Sequence, residues 1–449
     1  MVELLAHMRT SATRATLAGR NTAIKRIRAL RHTLGGFRVP RGRVPYTADY
    51  TNRGDYLYLP EVWSTKTHLH HRTITVLWFA VLLFAIGVLA TSLMTTASLL
   101  LILTLFVTLV YFGVLLFKIR VVLAAKDQPF WHVSQEELDS LDDEDLPIYT
   151  IIVPLLHEAE VMEQIVEAMS AIDYPTDKLD IIVPMEAYDT ETINAFHKAN
   201  PPKHFKPFIL PYITPQTKPK TLNVVFPHAL GELFVIYDAE IIPDANQLKK
   251  AVVAFRRNPD ISCFQTRLDH YNKNQNVITK LFNAEFAFYY DYFLPGLQRL
   301  GYAVPLSGHS THFRTSTLRA IGAWDPYNVA EDCDVGIRLY RFGFKTGLLD
   351  SLSQEEAASS LDSWIKQRTR WMKGFIQSSL VHTRHPRELM HELGSFDDFM
   401  AFLFTIPGTV VMNILNLVSW FILLIWITAQ PELIKALYPQ AILYLATAN

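Results

Sequence analysis

Ala330-Glu-Asp-Cys-Asp334 and, further along, Gln367-Arg-Thr-Arg-Trp371 are the stretches around which the rest of the chain is organised. Glu331 and Asp332 are adjacent carboxylates just ahead of an apolar-periodic segment, Val335 to Tyr340, so they stand where a helix begins. Negative charge is favoured there by the free N–H groups and the helix dipole, and that alone would explain the pair. The second block adds what a helix start does not need. Gln367, Arg370 and Trp371 fall on one helical turn. An amide, a planar cation and an indole together can hold a sugar and a phosphate group against a carboxylate.

Upstream of these blocks the hydrophobic period alternates. Ile148 to Val153 is a short apolar run ending at Pro154, followed by a helical pattern from Glu158 to Ile172. Strand-like runs recur at Ile181–Val183, Leu233–Tyr237 and Ile261–Gln265, with a helix at Gln247–Arg256 before the last. Strands alternating with helices predict an α/β domain with a mostly parallel sheet covered on both faces. Ligands of such sheets bind beyond the carboxyl ends of the strands, and Glu158, Glu186, Asp189, Asp238 and Glu240 all follow strand-like runs. Neither a Gly-rich dinucleotide motif nor a phosphate loop is present, which argues against hydride transfer and nucleotide hydrolysis.

The flanks have a different composition. The 449-residue chain has a net charge of −1, which predicts no nucleic-acid partner. Its mean hydropathy of +0.13 reflects apolar blocks rather than an even spread. Residues 1–72 carry thirteen Lys or Arg against four Asp or Glu, a basic region suited to anionic lipid or to remaining a solvated tail. Within 73–120, Ile74–Ala90 and Ala97–Phe117 each have the length of a bilayer crossing. Arg72 precedes this hairpin and Lys118, Arg120 and Lys126 follow it, so the positive-inside rule puts both of its ends in the cytoplasm. Within 396–449, Phe396–Ile406 reads as an interfacial helix and Thr409–Ala429 as a span, broken apart by Pro407 and Gly408. The chain then ends inside an apolar segment, as a fragment lacking later spans would. Cys263 and Cys333 lack metal-type spacing and read as reduced thiols.

Glu331-Asp332 followed by Gln367-x-x-Arg370-Trp371 resembles the processive family 2 glycosyltransferases, which include the cellulose, hyaluronan and poly-N-acetylglucosamine synthases. The run Trp324-Asp-Pro-Tyr-Asn-Val-Ala-Glu-Asp-Cys-Asp-Val-Gly-Ile-Arg338 looks most like the bacterial exopolysaccharide synthases of that group. The resemblance covers roughly residues 145–430. It implies a GT-A (Rossmann-like) cytoplasmic domain at 145–385, inserted between transmembrane helices of a multi-pass inner-membrane protein. The Pro154-Leu-Leu-His-Glu158 turn would hold uridine, with Glu186 and Asp189 at the base or ribose. Lys220 would meet the diphosphate, and Asn223 would order its loop. Asp238-Ala-Glu240 would hold Mg²⁺ or Mn²⁺, its two carboxylates pointing the same way along an extended segment.

By the same resemblance Gln265, Arg267 and the loop around Gly308 and His309 would line the acceptor side. His309 and His312, three apart, offer a metal pair as the competing reading of that loop. Asp332 would act as general base and Glu331 would orient the site, while Gln367, Arg370 and Trp371 would hold the diphosphate and the acceptor end. The implied activity is inverting transfer of a hexose or N-acetylhexosamine from a UDP-sugar donor to a growing polysaccharide. Self-association or partner subunits would complete an export path for which the spans here are few. Transfer to a lipid acceptor, or an inactive membrane scaffold or receptor, are the alternatives.

Overall fold

A computed structural model of the chain describes residues 63–65, 87, 96–127 and 130–429. The basic region other than 63–65, the first apolar run other than residue 87, and everything beyond 429 lie outside the described residues.

The centre is an eight-stranded mixed sheet: β1 (Tyr149–Ile152), β2 (Leu179–Glu186), β3 (Phe205–Leu210), β4 (Leu233–Ile236), β5 (Ile242–Pro243), β6 (Ile261–His270), β7 (Thr311–Arg314) and β8 (Lys345–Glu355). Their spatial order is β3-β2-β1-β4-β7-β6-β8-β5. β3, β2, β1 and β4 run parallel, and β1 and β4 are fully buried, as unbroken apolar runs in a central parallel sheet should be. β7 runs antiparallel to both β4 and β6, and β8 is parallel to β6. The sheet is therefore less uniformly parallel than the alternation predicts, and four of its strands were not legible as apolar runs. β3 is an edge strand with Lys206 and Pro207 in it, where proline's missing N–H costs little. β7, Thr-His-Phe-Arg, is a mostly polar strand whose first three residues are buried between its two neighbours.

One large hydrophobic cluster under the sheet joins Tyr149, Ile151, Ile181, Val235 and Phe264 to Phe282, Phe286 and Tyr290. A second cluster on the other face contains Phe226, Phe234, Phe313, Trp324, Val335 and Leu339. The helix Glu331–Arg341 belongs to this second layer. Glu331, Asp332 and Asp334 lie in its first turn and Arg338 and Arg341 in its last, so its own charges follow the dipole.

The helix Thr96–Ala124 packs on the domain through its C-terminal end. There Arg120 makes a bidentate pair with Asp397 at 2.9 and 3.0 Å, and Phe117 meets Tyr302 and Phe404. At Gly296 a Cβ would sit 1.9 Å from the Val121 carbonyl oxygen, so only glycine lets the two backbones come this close. Among the described residues, the segment Leu105–Ala124 is long and apolar enough to cross a membrane. The pair Phe396–Thr405 and Pro407–Leu417, bent by 45°, would make a second if it is one broken span. The bend falls where Pro407 interrupts the apolar run.

Candidate active site

The side chains of interest converge at the carboxyl ends of the parallel strands. β4 leads directly to Asp238, β2 ends at Glu186, and β8 ends at Glu355. Lys218 opens the helix Lys218–Val225, whose N-cap Thr217 also donates its hydroxyl to the Pro326 carbonyl at 2.7 Å. The Lys218 ammonium lies 2.6 Å from Asp238 Oδ1 and 4.0 Å from Glu331 Oε1. Burial opposes its charge, but Asp238, Asp332 and Glu331 outweigh that and hold its pKa well above the ordinary lysine value. Burial likewise pushes the Asp238 carboxyl up, and the charges of Lys218, His309 and Arg370 more than reverse it, so Asp238 stays ionised.

Asp332 is placed differently. Its Oδ1 accepts from the buried Trp324 indole N–H at 3.3 Å, and Gly308 closes over its other oxygen: a Cβ there would sit 2.4 Å from Oδ2. Gly308 has a φ of +81°, a second reason for glycine. Burial first and the adjacent Glu331 charge second raise the Asp332 pKa to about 7, with Lys218 pulling the other way and Asp238 adding to the rise. A carboxyl titrating near neutrality is well matched to proton abstraction at cellular pH.

The second motif block lies on the long helix Leu361–His382. That helix meets the first block at Gly374, where a Cβ would stand 2.2 Å from the Ala330 Cβ and 2.7 Å from its nitrogen. Directional bonds add to this contact. Gln377 accepts from the Val329 N–H at 3.1 Å and donates to the Tyr327 carbonyl at 3.2 Å, and Asn328 donates to Ser378 at 3.0 Å. His382 bonds Asp334 at 2.9 Å. On the same helix Arg370 is exposed and Gln367 is half-buried, with no hydrogen-bond partner at its buried Oε1. Trp371 packs its ring against Phe286 at 5.9 Å, with Arg368 stacked over it at 4.7 Å and tied to Glu285.

A divalent cation is the cofactor this pattern implies. Among the described residues no group of three or more His, Cys, Asp and Glu could hold one alone. Asp238-Ala-Glu240 is a turn, closed by the Ile241 N–H on the Asp238 carbonyl at 3.0 Å, rather than the extended segment expected, yet its two carboxylates still suit a hard ion that takes its remaining oxygens from substrate phosphates and water. The Glu240 side chain reaches solvent, yet the crowded cleft desolvates it and Glu355, Asp238, Glu158 and Glu356 repel its charge, raising its pKa to about 8. Such an excess of carboxylate is what a bound cation relieves. The residues present fit the ion.

Several expectations are corrected by burial. Lys220 is fully buried and paired with Glu186, which also accepts from Thr221 at 3.1 Å, so neither reaches a diphosphate. The lysine that faces the site carboxylates is Lys218, which the spacing did not single out. Asp189 caps the helix Thr190–Ala199 and accepts from the His157 N–H at 2.6 Å, an occupied carboxylate rather than an open one. Glu158 is half-buried beside it, its pKa raised by burial and by Asp238 and Asp189.

On the other side of the cleft, Gln265 is buried and spends its amide on the Ser307–Thr311 loop. It donates to the His309 carbonyl at 2.6 Å and accepts from the Ser307 N–H and the Thr311 hydroxyl. It shapes the loop instead of facing an acceptor. Arg267 is paired with Asp291 at 2.8 Å and Asp350 at 3.6 Å. His309 and His312 do not converge on one ion. His309 sits 3.0 Å from the buried Glu355, whereas His312 bonds Tyr149 at 2.6 Å and is held neutral by burial, with its pKa pushed down to about 3. Asn223, expected to order the loop of Lys220, instead lies within the helix Lys218–Val225 and exchanges two hydrogen bonds with the Trp324 backbone.

The mixed sheet and the carboxylates gathered at its strand ends define an α/β glycosyltransferase domain of the GT-A kind. The sequence model of the family described as "Glycosyltransferase like family 2" matches residues 147–374, just over half of the 449 residues, and the chain belongs to that family. It is 23% identical over 249 residues to the probable glycosyltransferase YdaM of Bacillus subtilis (strain 168), covering 55% of this chain and 57% of that one. It is 22% identical over 263 residues to probable glucomannan 4-beta-mannosyltransferase 7 of Oryza sativa subsp. japonica, covering 55% and 44%. The match thus spans about half the length of these curated relatives. Among solved structures, the mannosyltransferase PcManGT from Pyrobaculum calidifontis, in complex with GDP-Man and Mn2+, is similar with a TM-score of 0.48 and 18% identity, over 78% of this chain and 98% of that one.

Proposed function

We propose that this chain transfers a hexose or N-acetylhexosamine from a nucleotide sugar, a UDP-sugar foremost, to a growing polysaccharide at a membrane, with inversion at the anomeric carbon. The observation that carries the reading is the gathering of two unlike carboxylates, Asp238 and Asp332, around Lys218. Asp238 is kept ionised by Lys218, and Asp332 is raised to about 7 beneath Gly308. The first suits the donor and its counter-ion, the second a proton.

In the mechanism the acceptor hydroxyl attacks the anomeric carbon from the face opposite the diphosphate. The new C–O bond forms as the sugar–phosphate C–O bond breaks, and the hydroxyl proton passes to Asp332. Such general-base help is worth about 10²–10⁴ in rate. Glu331 keeps Lys218 and Asp332 in register. Lys218 and Arg370 bring positive charge to the diphosphate, and Trp371, its ring packed on Phe286 beneath Arg368, anchors the helical turn that carries Arg370. Asp238 and Glu240 would hold Mg²⁺ or Mn²⁺, which supplies Lewis-acid neutralisation of the departing diphosphate.

Membrane association is supported by Leu105, Phe106, Leu109 and Phe112, large apolar side chains left exposed on the helix that leads into the domain. The basic flanks of the hairpin support a cytoplasmic catalytic domain. A polymeric acceptor is supported by the glucomannan in the name of the rice relative, which also puts mannose among the candidate sugars.

Membranes containing the full chain, incubated with radiolabelled UDP-glucose, UDP-N-acetylglucosamine, UDP-N-acetylmannosamine or GDP-mannose and Mg²⁺ or Mn²⁺, test the reading. Label retained in high-molecular-weight material, and lost in Asp332→Asn, is expected. Label confined to solvent-extractable lipid would move the assignment to a lipid acceptor. Wild-type turnover by Asp332→Asn would remove Asp332 from the mechanism.

A further inference from the structure

Trp63, Ser64 and Thr65 precede the apolar segments of the sequence, yet all three are buried against the catalytic domain. Trp63 is only 5% exposed. Its indole packs on Phe342 at 5.3 Å and on His382 at 6.1 Å, and the Arg341 guanidinium lies 4.3 Å over it. Phe342 and Arg341 end the helix that begins with Glu331 and Asp332, so the indole closes the far end of that helix.

The next two residues reach the loop on the catalytic side. Ser64 donates its hydroxyl to Asp325 Oδ1 at 3.0 Å, and the Thr65 N–H donates to Asp325 Oδ2 at 2.6 Å. Arg384 donates to the Ser64 carbonyl at 3.0 Å, fastening the segment to the end of the Gln-x-x-Arg-Trp helix as well. Asp325 is fully buried and follows Trp324, the residue whose indole N–H bonds Asp332. Three unrelated parts of the site therefore share one short N-terminal segment.

We propose that Trp63–Thr65 is a positioning strap: it clamps Asp325 and the Arg341–Phe342 end of the catalytic helix, and through Trp324 it aims Asp332 at the acceptor. The inference rests on the reading of Asp332 as the base. Asn223 holds the Trp324 backbone from one side and the strap holds Asp325 from the other. Fixing both flanks of an indole fixes where its N–H points, and misplacement by about 1 Å at a reacting group costs on the order of 10² in rate. The strap also joins the turnover site to the region ahead of the apolar segments, so tension on that region would act on turnover rather than on donor affinity.

Full-length Trp63→Ala, Trp63→Phe, Ser64→Ala and Asp325→Asn chains in membranes test this. The measurements are donor turnover, UDP affinity and amide exchange across residues 324–332. Trp63→Ala and Asp325→Asn should lose about 10–10² in kcat, with the UDP Kd within about twofold and faster exchange in that loop. Trp63→Phe should restore most of the rate.

The pH profile separates aim from mere stability. Asp332 is faced by Glu331, Lys218, Asp238 and the Trp324 N–H, with Cys263, Cys333 and Tyr290 nearby and neutral. Only the indole bond depends on the strap, and it favours the carboxylate, so its loss should move the acid limb to higher pH. A lower melting temperature with kcat, acid limb and loop exchange all unchanged would make the strap simple packing and overturn the proposal. A loss confined to UDP affinity would overturn it too. If Trp63→Ala does not fold, Ser64→Ala, which leaves the indole in place, must still speed loop exchange. Wild-type turnover by Asp332→Asn sinks the base assignment and the strap together; an inactive Asp332→Asn beside a fully active Trp63→Ala sinks the strap alone.

Discussion

Gly308→Ala is the substitution that probes the geometry around Asp332 most directly. The added Cβ would lie 2.4 Å from Asp332 Oδ2 and 3.2 Å from its Cγ. Real Cβ contacts do not fall below 3.0 Å and are ordinary from 3.4 Å, so the carboxylate must retreat by 0.6 Å at least and by 1.0 Å to reach ordinary contact (3.0 − 2.4 and 3.4 − 2.4). A displacement of about 1 Å at a proton-accepting group predicts a loss on the order of 10² in kcat. Alanine at a φ of +81° also brings backbone strain of roughly 1–2 kcal/mol, which must be separated from the clash. Gly301 supplies the control: its φ is +76° and a Cβ there would meet nothing within 4 Å. Gly301→Ala should therefore lower the melting temperature about as much as Gly308→Ala and leave turnover intact. Donor turnover, UDP titration and thermal melts on both variants decide it. A Gly308→Ala enzyme within about twofold of wild-type kcat, or a Gly301→Ala enzyme equally impaired, refutes the placement of Asp332 as the base.

Asp332 is raised to about 7 and acts ionised, so kcat/KM should be full above that pH and fall about tenfold per unit below it; a pH profile flat across this range would contradict the assignment. Lys218→Ala should weaken UDP binding with little loss of stability. Lys220→Met, which strands buried Glu186, should cost roughly 3–5 kcal/mol of stability, and melts paired with UDP titrations would expose an error if the two behave alike. Chelation by EDTA should stop turnover and added Mg²⁺ or Mn²⁺ restore it. Because Glu240 titrates at about 8, it must lose a proton to bind a cation, so metal affinity should fall as pH falls through that value; a pH-independent metal requirement would rule Glu240 out as a ligand.

What could be read from the sequence follows what physical signal each element carries. β1, β2, β4, β6 and the helices Met162–Ser170 and Gln247–Arg257 announce themselves because their burial demands apolar runs or an apolar stripe, whereas Thr190–Ala199 and Lys218–Val225 are not among the predicted helices. β7 does not, because its pairing on both edges supplies its burial and its sequence, Thr-His-Phe-Arg, has no need of an apolar run. The lysine exchange has a similarly plain origin. Residues two apart on a helix point in nearly opposite directions, so Lys218 and Lys220 cannot both face the cleft, and one-dimensional spacing does not say which does. Pro219 in the first turn sets the helix start, and Glu186 at the end of β2 takes Lys220. Gly374 did leave a signal. A glycine inside a helical pattern costs about 1 kcal/mol relative to alanine and so points to a close approach, here to Ala330.

Close packing at Gly374 would still allow one motif block to slide along the other, and the fold prevents this with directional bonds. Asp334, Arg338 and His382 are fully buried. Arg338 donates to Asp334 at 2.7 Å and to the carbonyls of Ile321 and Ala323 at 2.7 and 2.5 Å, which seats the loop entering Trp324. Burial pushes the His382 pKa down to about 4. The ring is therefore neutral, taking a bond from Arg341 on Nδ1 and donating from Nε2 to Asp334. Buried ion pairs of this sort contribute little net stability over well-packed apolar residues of the same volume. Their use lies in orientation, since apolar side chains at these positions would bind the two blocks together without setting their register. Asp332 lies two residues before Asp334 in the first turn of the same helix, so whatever holds Asp334 in register with His382 also fixes Asp332 relative to Gln367, Arg370 and Trp371.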